Sequence, residues 1–194
     1  MNLDLNCTPI FERNYESDKR ININRGGTRS SKTYSLEQLT VLFLFTGYVS
    51  PSVKLNKGVW TTVRKWSVTL DSTVIRDFEE LLHENALYDL VIHNKTKKTY
   101  KYKNRIVEFT GIDNEQKARG AKRDVLHCNE GNELSYEDFK QLNRRTLHRV
   151  YIDFNPDDEE VWINKELEQV RQHTKGDVEV IVSTYLDNTF LYTH

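Results

Sequence analysis

The sequence feature that most constrains the fold is a loop of small residues between a short alternating segment and an apolar-periodic run. The alternating segment is Ile21-Asn22-Ile23-Asn24. The run over residues 34–45 has apolar residues at helical spacing, namely Leu36, Leu39 and Phe43. A strand, a small-residue loop ending in Lys-Thr, and an amphipathic helix form the layout of a phosphate-binding loop. The predicted loop consists of Gly26, Gly27, Thr28, Arg29, Ser30, Ser31, Lys32 and Thr33.

The chemistry of such a loop follows from its backbone and its last two residues. Successive N–H groups turn inward around an anion, and the helix N-terminus adds partial positive charge. Lys32 is expected to reach the β- and γ-phosphates, and the Thr33 hydroxyl to ligate Mg²⁺. The usual pattern has Gly before the Lys, where this chain has Ser31. A degenerate match of this kind also arises by chance, so the loop needs a second half of the site to support it.

Size and composition predict one soluble globular domain. The chain has 194 residues, of which 37% are hydrophobic and 29% charged. Its formal net charge of −1 gives no whole-chain sign of nucleic-acid binding, so any such surface must be a local patch. Cys7 and Cys128 lie far apart without metal-type spacing, which favours a reducing cytosolic setting over a disulfide framework or a zinc site. The sequence has no apolar run of membrane-spanning length and no signal peptide at its start.

Alternating strand and helix patterns predict an α/β fold with a mostly parallel central sheet flanked by helices. We expect a P-loop domain over residues 21–194, preceded by a polar, irregular arm over residues 1–20. The predicted strands cover residues 21–24, 58–63, 124–128, 149–154 and 177–183. The predicted helices cover residues 34–45, 67–84, 135–146 and 159–172. An inserted β-hairpin, made by residues 97–102 and 105–110, interrupts the alternation.

Two segments of this layout have open functional interpretations. The hairpin region is basic, and it is either a solvated face or a surface that contacts phosphate backbones. Its basic residues are Lys95, Lys97, Lys98, Lys101, Lys103 and Arg105. The N-terminal arm carries Phe11 and Tyr15 as anchors, and it either packs on the domain or helps to hold an adenine base.

A strand end downstream predicts the second half of the nucleotide site. The apolar segment 125–128 ends in Asn129-Glu130, and we expect this strand to lie beside the loop strand. Glu130 is positioned to act as general base on water, while Asn129 stands where an Asp is common and is expected to accept from a Mg²⁺-bound water. Arg64 ends another strand, at the edge where ligands bind in open α/β sheets. Asn155 ends the next strand and either senses the γ-phosphate or forms an ordinary Asn-Pro turn.

Six motifs in one order resemble the ATPase domain of the large terminase subunit of tailed bacteriophages and prophages. The resemblance covers about residues 20–191, and the ordered set is more specific than any one motif. The motifs are the loop 26–33, Val63-Arg64-Lys65, Phe109-Thr110-Gly111-Ile112-Asp113-Asn114, Asn129-Glu130-Gly131-Asn132-Glu133-Leu134, Asp153-Phe154-Asn155-Pro156 with Trp162, and Thr184-Tyr185-Leu186-Asp187-Asn188 with Phe190-Leu191.

The resemblance implies roles for individual residues. Glu130 matches the catalytic carboxylate, and Asn155 matches the motif that couples hydrolysis to movement. Arg29 matches a basic residue that terminases place inside the loop near the γ-phosphate. Arg119 resembles an arginine that is donated to a neighbouring subunit's site. Two departures, Ser31 for Gly and Asn129 for Asp, bear on the tightness of Mg²⁺ and nucleotide binding and leave the fold unaffected.

The resemblance also implies an activity with its cofactors and partners. We expect a Mg²⁺-dependent ATP hydrolase that drives double-stranded viral DNA into the procapsid in the host cytoplasm. Its expected partners are the portal protein, the small terminase subunit and further copies of itself in a ring, without a membrane. No nuclease activity is expected, because the nuclease domain that usually follows in this family is absent from these residues. The alternatives are another P-loop NTPase acting on nucleic acid, such as a helicase-like domain, and a nucleotide-binding scaffold with little turnover.

Overall fold

An eight-stranded sheet forms the centre of the protein in the computed structural model, which describes residues 3, 5–112, 121–156 and 161–189. Its strands are β1 (Ile21–Gly26), β4 (Gly58–Arg64), β5 (Ile92–Asn94), β6 (Thr99–Tyr102), β7 (Arg105–Gly111), β8 (Arg123–Cys128), β9 (Thr146–Phe154) and β10 (Val178–Ser183). The strand order is β10-β1-β9-β8-β4-β7-β6-β5. Pairing is parallel from β10 through to β7, and antiparallel between β7, β6 and β5. A separate two-stranded ribbon pairs β2 (Tyr48–Ser50) with β3 (Val53–Lys54).

Helices cover both faces of the sheet, as the α/β prediction requires. One core lies between the sheet and α1 (Pro9–Glu16), α2 (Lys32–Thr46) and α3 (Val74–Glu84). The other lies under α4 (Tyr136–Arg144) and a π-helix (Ile163–Arg171), which continues into the short α5 (Gln172–Lys175). The predicted fold class, including the hairpin β6–β7, is therefore confirmed. Within the described ranges, no helix is both long and apolar enough to cross a bilayer.

Three local expectations differ from the structure. The arm expected to be irregular contains α1, which the Thr8 side chain caps by accepting from the Phe11 N–H at 3.0 Å. The run expected to be amphipathic, α2, is buried nearly all round, because α1 and α3 cover the side that faces away from the sheet. The helix expected over residues 67–84 begins only at Val74, after a 3₁₀ turn at Ser67–Thr69.

The arm packs on the loop strand through a buried pair of amides. Asn14 Nδ2 donates to Asn24 Oδ1 at 2.7 Å, and Asn24 Nδ2 donates back to Asn14 Oδ1 at 2.9 Å. Both side chains are fully buried. Each amide therefore provides the other with hydrogen bonds, and this avoids the free-energy cost of a buried polar group without a partner. These contacts support the packed interpretation of the arm.

The basic hairpin is only partly a charged surface. Arg105 is buried, and its guanidinium donates to the carbonyl oxygens of Leu44 at 2.8 Å and Phe45 at 2.7 Å, which closes the C-terminal end of α2. Lys98 pairs with Asp71. Lys95, Lys97, Lys101 and Lys103 are exposed. Arg105 is therefore a structural residue, and four lysines of this region remain exposed.

Candidate nucleotide site

The predicted phosphate loop connects β1, which lies between β10 and β9 in the sheet, to the first residue of α2. Arg29 and Ser31 adopt the left-handed conformation, with φ of 62° and 60°. Ser31 is also the N-cap of α2 and makes no side-chain cap, so the first amides of the helix keep their anion-binding capacity. Its positive φ is a conformation that favours Gly, which is the physical reason for the usual Gly at this position.

Lys32 lies at the base of the loop and is almost fully buried. Its Nζ donates to the carbonyl oxygens of Gly26 at 2.8 Å and Gly27 at 2.9 Å. It also donates to Asn155 Oδ1 at 3.0 Å. The fold therefore brings the predicted phosphate-binding lysine into direct contact with the predicted coupling residue at the end of β9.

A carboxylate that sequence reasoning assigned no role meets the loop threonine. The Thr33 hydroxyl donates to Asp153 Oδ2 at 2.5 Å. Asp153 is buried in β9, where it pairs in register with Asn24 of β1. Asp153 belongs to the motif Asp153-Phe154-Asn155-Pro156, but the sequence does not reveal its contact with Thr33. That contact depends on the strand order, which makes β9 the neighbour of β1.

Asn129 lies farther from the loop than expected, because β8 is not beside the loop strand and β9 lies between them. Its Nδ2 donates to Asp153 Oδ2 at 3.0 Å, with a second, longer contact to Oδ1 at 3.3 Å. Its Oδ1 is buried without a hydrogen-bond partner. Asn129 thus donates to a carboxylate on the next strand, while its amide oxygen accepts no hydrogen bond.

Glu130 shares a cavity of about 320 Å³ with the loop. Residues 28–34 line this cavity together with Asp77, Glu130, Asn155 and Asn188. Burial raises the pKa of the Glu130 carboxyl and the charge of Asp153 adds to the rise, whereas Arg64 and Lys32 oppose it. A carboxylate with a raised pKa in a polar cavity is a better proton acceptor than a free one. Glu130 also has a positive φ of 49°, so its backbone is held in a strained turn after β8.

The predicted arginines have different positions. Arg29 is exposed at the cavity wall, and its carbonyl oxygen accepts from Asn188 Nδ2 at 3.0 Å. Arg64 ends β4 at the same sheet edge, but its Nη1 donates to Thr73 Oγ1 at 3.1 Å and its Nε lies 3.9 Å from Glu133. Among the described residues, the cavity wall does not include Arg64. Arg119 lies outside the described residues.

Behind Asp153, a buried histidine connects two carboxylates that sequence reasoning also missed. His127 Nε2 lies 3.0 Å from Asp153 Oδ1, and Nδ1 lies 3.4 Å from Glu37 Oε1. The Glu37 contact lacks hydrogen-bond geometry and is an ion contact. Burial alone would lower the pKa of His127, but Asp153 and Glu37 outweigh it and raise it to about 9. Although burial opposes the shift, His127 and Thr33 hold the pKa of Asp153 below its usual value.

The fold and the loop together define a P-loop domain of the RecA-like class. A profile of the family described as phage terminase large subunit matches residues 18–194. The chain belongs to that family, which confirms the resemblance carried by the ordered motifs. No curated protein matches.

Solved structures of large terminases have the same fold. The large terminase from a thermophilic bacteriophage superposes with a TM-score of 0.72 at 16% identity, covering 96% of this chain and 44% of that one. The same terminase in complex with ATP-gamma-S gives 0.71 at 16% identity, with 95% and 43% covered. The HK97 bacteriophage large terminase gives 0.70 at 10% identity, with 94% and 39% covered. The chain spans less than half the length of these relatives.

Proposed function

We propose that this chain is the ATP-hydrolysing motor of a terminase, which drives double-stranded DNA into the procapsid. The observation that carries the proposal is the shared cavity at one sheet edge, whose wall includes Lys32, Thr33, Glu130 and Asn155. The terminase of the thermophilic bacteriophage in complex with ATP-gamma-S supports ATP as the nucleotide. Family membership supports the packaging role.

Several groups in the cavity have a chemistry that suits a particular step of hydrolysis. The loop amides and the N-terminus of α2 bind the phosphates, and Lys32 neutralises charge on the β- and γ-phosphates. Glu130 orients the attacking water and accepts its proton. Asn155 Oδ1 accepts a hydrogen bond from the Lys32 ammonium. When the ammonium moves to bind a phosphate, Asn155 loses that hydrogen bond. Through that exchange, Asn155 reports the state of the nucleotide to β9.

The side chains at Thr33 fit a magnesium ion. The hydroxyl of Thr33, the carboxylate of Asp153 and the buried, unsatisfied Oδ1 of Asn129 are oxygen ligands or acceptors for bound water. Mg²⁺ in nucleotide sites prefers such a set, with few carboxylates and the substrate's own phosphates. When bound, the ion neutralises charge that develops on the phosphates.

The arginines and the partners complete the proposal. Arg29, at the cavity wall, adds positive charge near the γ-phosphate, and Arg64 acts on the Glu130 carboxylate from the same edge. Arg119 acts on the site of a neighbouring subunit, so hydrolysis by the isolated monomer is weak and a homo-oligomeric ring is needed for full activity. The ring works in the host cytoplasm with the portal protein and the small terminase subunit.

A second cavity supports a role for the arm in adenine binding. It has a volume of about 170 Å³ and is lined by Leu5, Asn6, Tyr34, Gln38, Leu81, Glu84 and Asn85. Tyr34 belongs to the walls of both this cavity and the loop cavity. The wall of this second cavity combines apolar side chains, side-chain amides, the Tyr34 ring and the Glu84 carboxylate. Such a lining suits a flat base with polar edges next to the phosphates, with the arm as one wall.

The test of the proposed function is a phosphate-release assay with Mg²⁺, carried out with and without DNA and the packaging partners. We expect Lys32→Ala to lower the rate by about 100-fold or more, because the variant loses a preorganised charge at the phosphates. Lys57→Ala is the matched control, since Lys57 is exposed at the opposite end of β4 from Arg64. Equal activity of Lys32→Ala and the parent would contradict the loop assignment.

Two alternatives have their own tests. ATP hydrolysis without capsid-dependent DNA uptake would favour another P-loop NTPase acting on nucleic acid. The uncharged Asn129 favours a nucleotide-binding scaffold with little turnover, and ATP binding in calorimetry without phosphate release would support it. The absence of nuclease activity stays a prediction, which incubation of plasmid DNA with Mg²⁺ or Mn²⁺ tests.

A further inference from the structure

The end of β8 lacks a carboxylate at Asn129, while the neighbouring strand carries a buried one at Asp153. We infer that Asp153 supplies from β9 the metal-site carboxylate that β8 lacks, and that His127 and Glu37 are positioning residues that hold it. The inference rests on the proposed function, because it concerns the same Mg²⁺–nucleotide site. It changes which strand provides the acid.

Asp153 contacts the predicted phosphate loop directly. Asp153 Oδ2 accepts from the Thr33 hydroxyl at 2.5 Å, and that hydroxyl is the group expected at the metal. A carboxylate bonded to the metal-site hydroxyl is within reach of the same ion or of its bound water. Within the described residues, no other carboxylate hydrogen-bonds to Thr33.

The ends of β8 and β9 meet through one amide and one carboxylate. Asn129 Nδ2 donates to Asp153 Oδ2 at 3.0 Å, so the amide supports the acid across the two strands. A second carboxylate at position 129 would face the first at this distance, and two carboxylates that share a site cannot both stay ionised easily. One amide and one acid therefore suit these two positions. An amide on β8 with an acid on β9 gives the site the same groups as an acid on β8 with an amide on β9.

His127 and Glu37 lie behind Asp153, on the side away from Thr33. Asp153 Oδ1 lies 3.0 Å from His127 Nε2, and the far side of the imidazole faces Glu37. All three side chains are buried, so the Asp153 carboxylate depends on the protein groups that hydrogen-bond to it. Because His127 holds Oδ1 of Asp153, the other oxygen, Oδ2, faces Thr33. Glu37 stands one turn after Thr33 on α2, so the line of contacts returns to the helix that carries the hydroxyl.

The test measures how Mg²⁺ changes ATP affinity, by calorimetry on the full chain with Mg²⁺ titrated. In the parent, Mg²⁺ is expected to increase the affinity for ATP. We expect Asp153→Asn to reduce this increase about 10- to 100-fold, with ATP binding in EDTA nearly unchanged. Asn129→Asp alone is expected to bring no gain. The exchange variant, Asn129→Asp with Asp153→Asn, is expected to restore most of the Mg²⁺ dependence.

Two results would overturn the inference. One is an Asp153→Asn variant with the parent's Mg²⁺ dependence; the other is an Asn129→Asp variant that needs less Mg²⁺ while Asp153 remains. If Asp153→Asn does not fold, Asp153→Glu replaces it, and unchanged Mg²⁺ dependence of that variant counts equally against the inference. A parent protein that binds no ATP at all would instead refute the proposed function, so the two failures are distinguishable.

The positioning role of His127 has a separate readout. His127→Ala removes the group that holds Oδ1, and we expect it to reduce Mg²⁺ dependence about 10-fold. His127→Gln keeps an N–H donor and is expected to recover part of that loss. Glu37→Gln leaves Asp153 and His127 in place and is expected to have the smallest effect. Loss of thermal stability without any change in Mg²⁺ dependence, in all three variants, would show that the line is only structural.

Discussion

At Gly26, the end of β1 lies directly against the end of β10, in register with Ser183. A Cβ at this position would collide with the carbonyl oxygen of Ser183, and would lie 2.5 Å from the Ser183 hydroxyl and 2.9 Å from that of Ser30. Gly27, the next residue, has open space where its Cβ would be. The first Gly of the loop therefore allows close strand packing, in addition to offering its carbonyl oxygen to Lys32.

This difference predicts unequal effects of two neighbouring alanines. Gly26→Ala is expected to lower the free energy of unfolding by about 1–3 kcal/mol, because the obstructing atoms include backbone that cannot move without shifting β10. Gly27→Ala is the matched control and is expected to change it by less than about 0.5 kcal/mol. Urea denaturation measures both values. Equal losses for the two variants would contradict the packing role of Gly26.

The contacts of Asp153 could not be read from the sequence. The pattern of a buried strand ending in polar residues indicated Asn129 and Glu130, because they follow β8 directly. Asp153 lies two residues before its motif's Asn-Pro and inside the strand, where a charged residue is unusual unless it is paired. His127, Thr33 and Asn129 are its hydrogen-bonding partners in the fold. Their pairing depends on three elements meeting.

At the scale of elements, one ion pair spans the connection between the π-helix and β10. Arg171 Nε donates to Asp177 Oδ1 at 2.8 Å, and Nη2 donates to Oδ2 at 2.6 Å. The hydrogen bonds from Arg171 hold the pKa of Asp177 below its usual value. The pair spans the turn at Gly176, which has a positive φ of 64°. This bidentate contact fixes how the chain leaves the helical layer and enters the sheet.

The pair predicts a pH-dependent contribution to stability. A carboxyl with a lowered folded pKa stabilises the protein above its unfolded pKa, and the contribution is lost as pH falls through the folded value. We expect Asp177→Asn to cost about 1 kcal/mol of unfolding free energy at pH 7, and the difference from the parent to shrink toward about pH 3. Asp89→Asn, at an exposed position in a 3₁₀ turn, is the control. A cost that is the same at both pH values would argue against the ion pair as its cause.

The elements themselves were largely predictable because their signals are local. Period-two runs indicated the strands, and the hairpin turn at Lys103-Asn104 lies where expected. The helix α1 was missed although Thr8-Pro9 is a start signal for a helix, because the polar composition of residues 1–20 obscured it. The all-round burial of α2 was also unexpected, since it depends on α1 and α3 packing over its outer side.

At the scale of the whole molecule, the candidate nucleotide cavity joins residues that are far apart along the chain. Its wall takes the loop from the start of the domain, Asp77 from α3, Glu130 from after β8, and Asn155 and Asn188 from the segments that follow the strands on either side of β1. A ligand that fills this cavity would contact the loop, α3 and the segments that follow β8, β9 and β10. Binding is therefore linked to the stability of the entire domain rather than to one loop.

Linkage predicts a nucleotide-dependent rise in melting temperature. With ATP and Mg²⁺ at about 100 times the dissociation constant, the native state gains about 2.7 kcal/mol, which corresponds to roughly 5–10 °C for a domain of this size. We expect the rise in the parent and in Lys57→Ala, and a rise of less than about 2 °C in Lys32→Ala. Scanning calorimetry at fixed nucleotide concentration measures it. An equal rise in Lys32→Ala would show that the nucleotide binds elsewhere.

The sequence by itself determined the fold class, the position of the predicted phosphate loop and the order of the family's motifs. These features follow from periodicity and from short motifs, which depend on residues close together in the chain. Only the tertiary structure decided which strand lies next to the loop, and so which acid reaches Thr33. Strand order is set by packing between distant segments, and it brings Asp153 of β9 to the Thr33 hydroxyl while Asn129 of β8 stands one strand farther away.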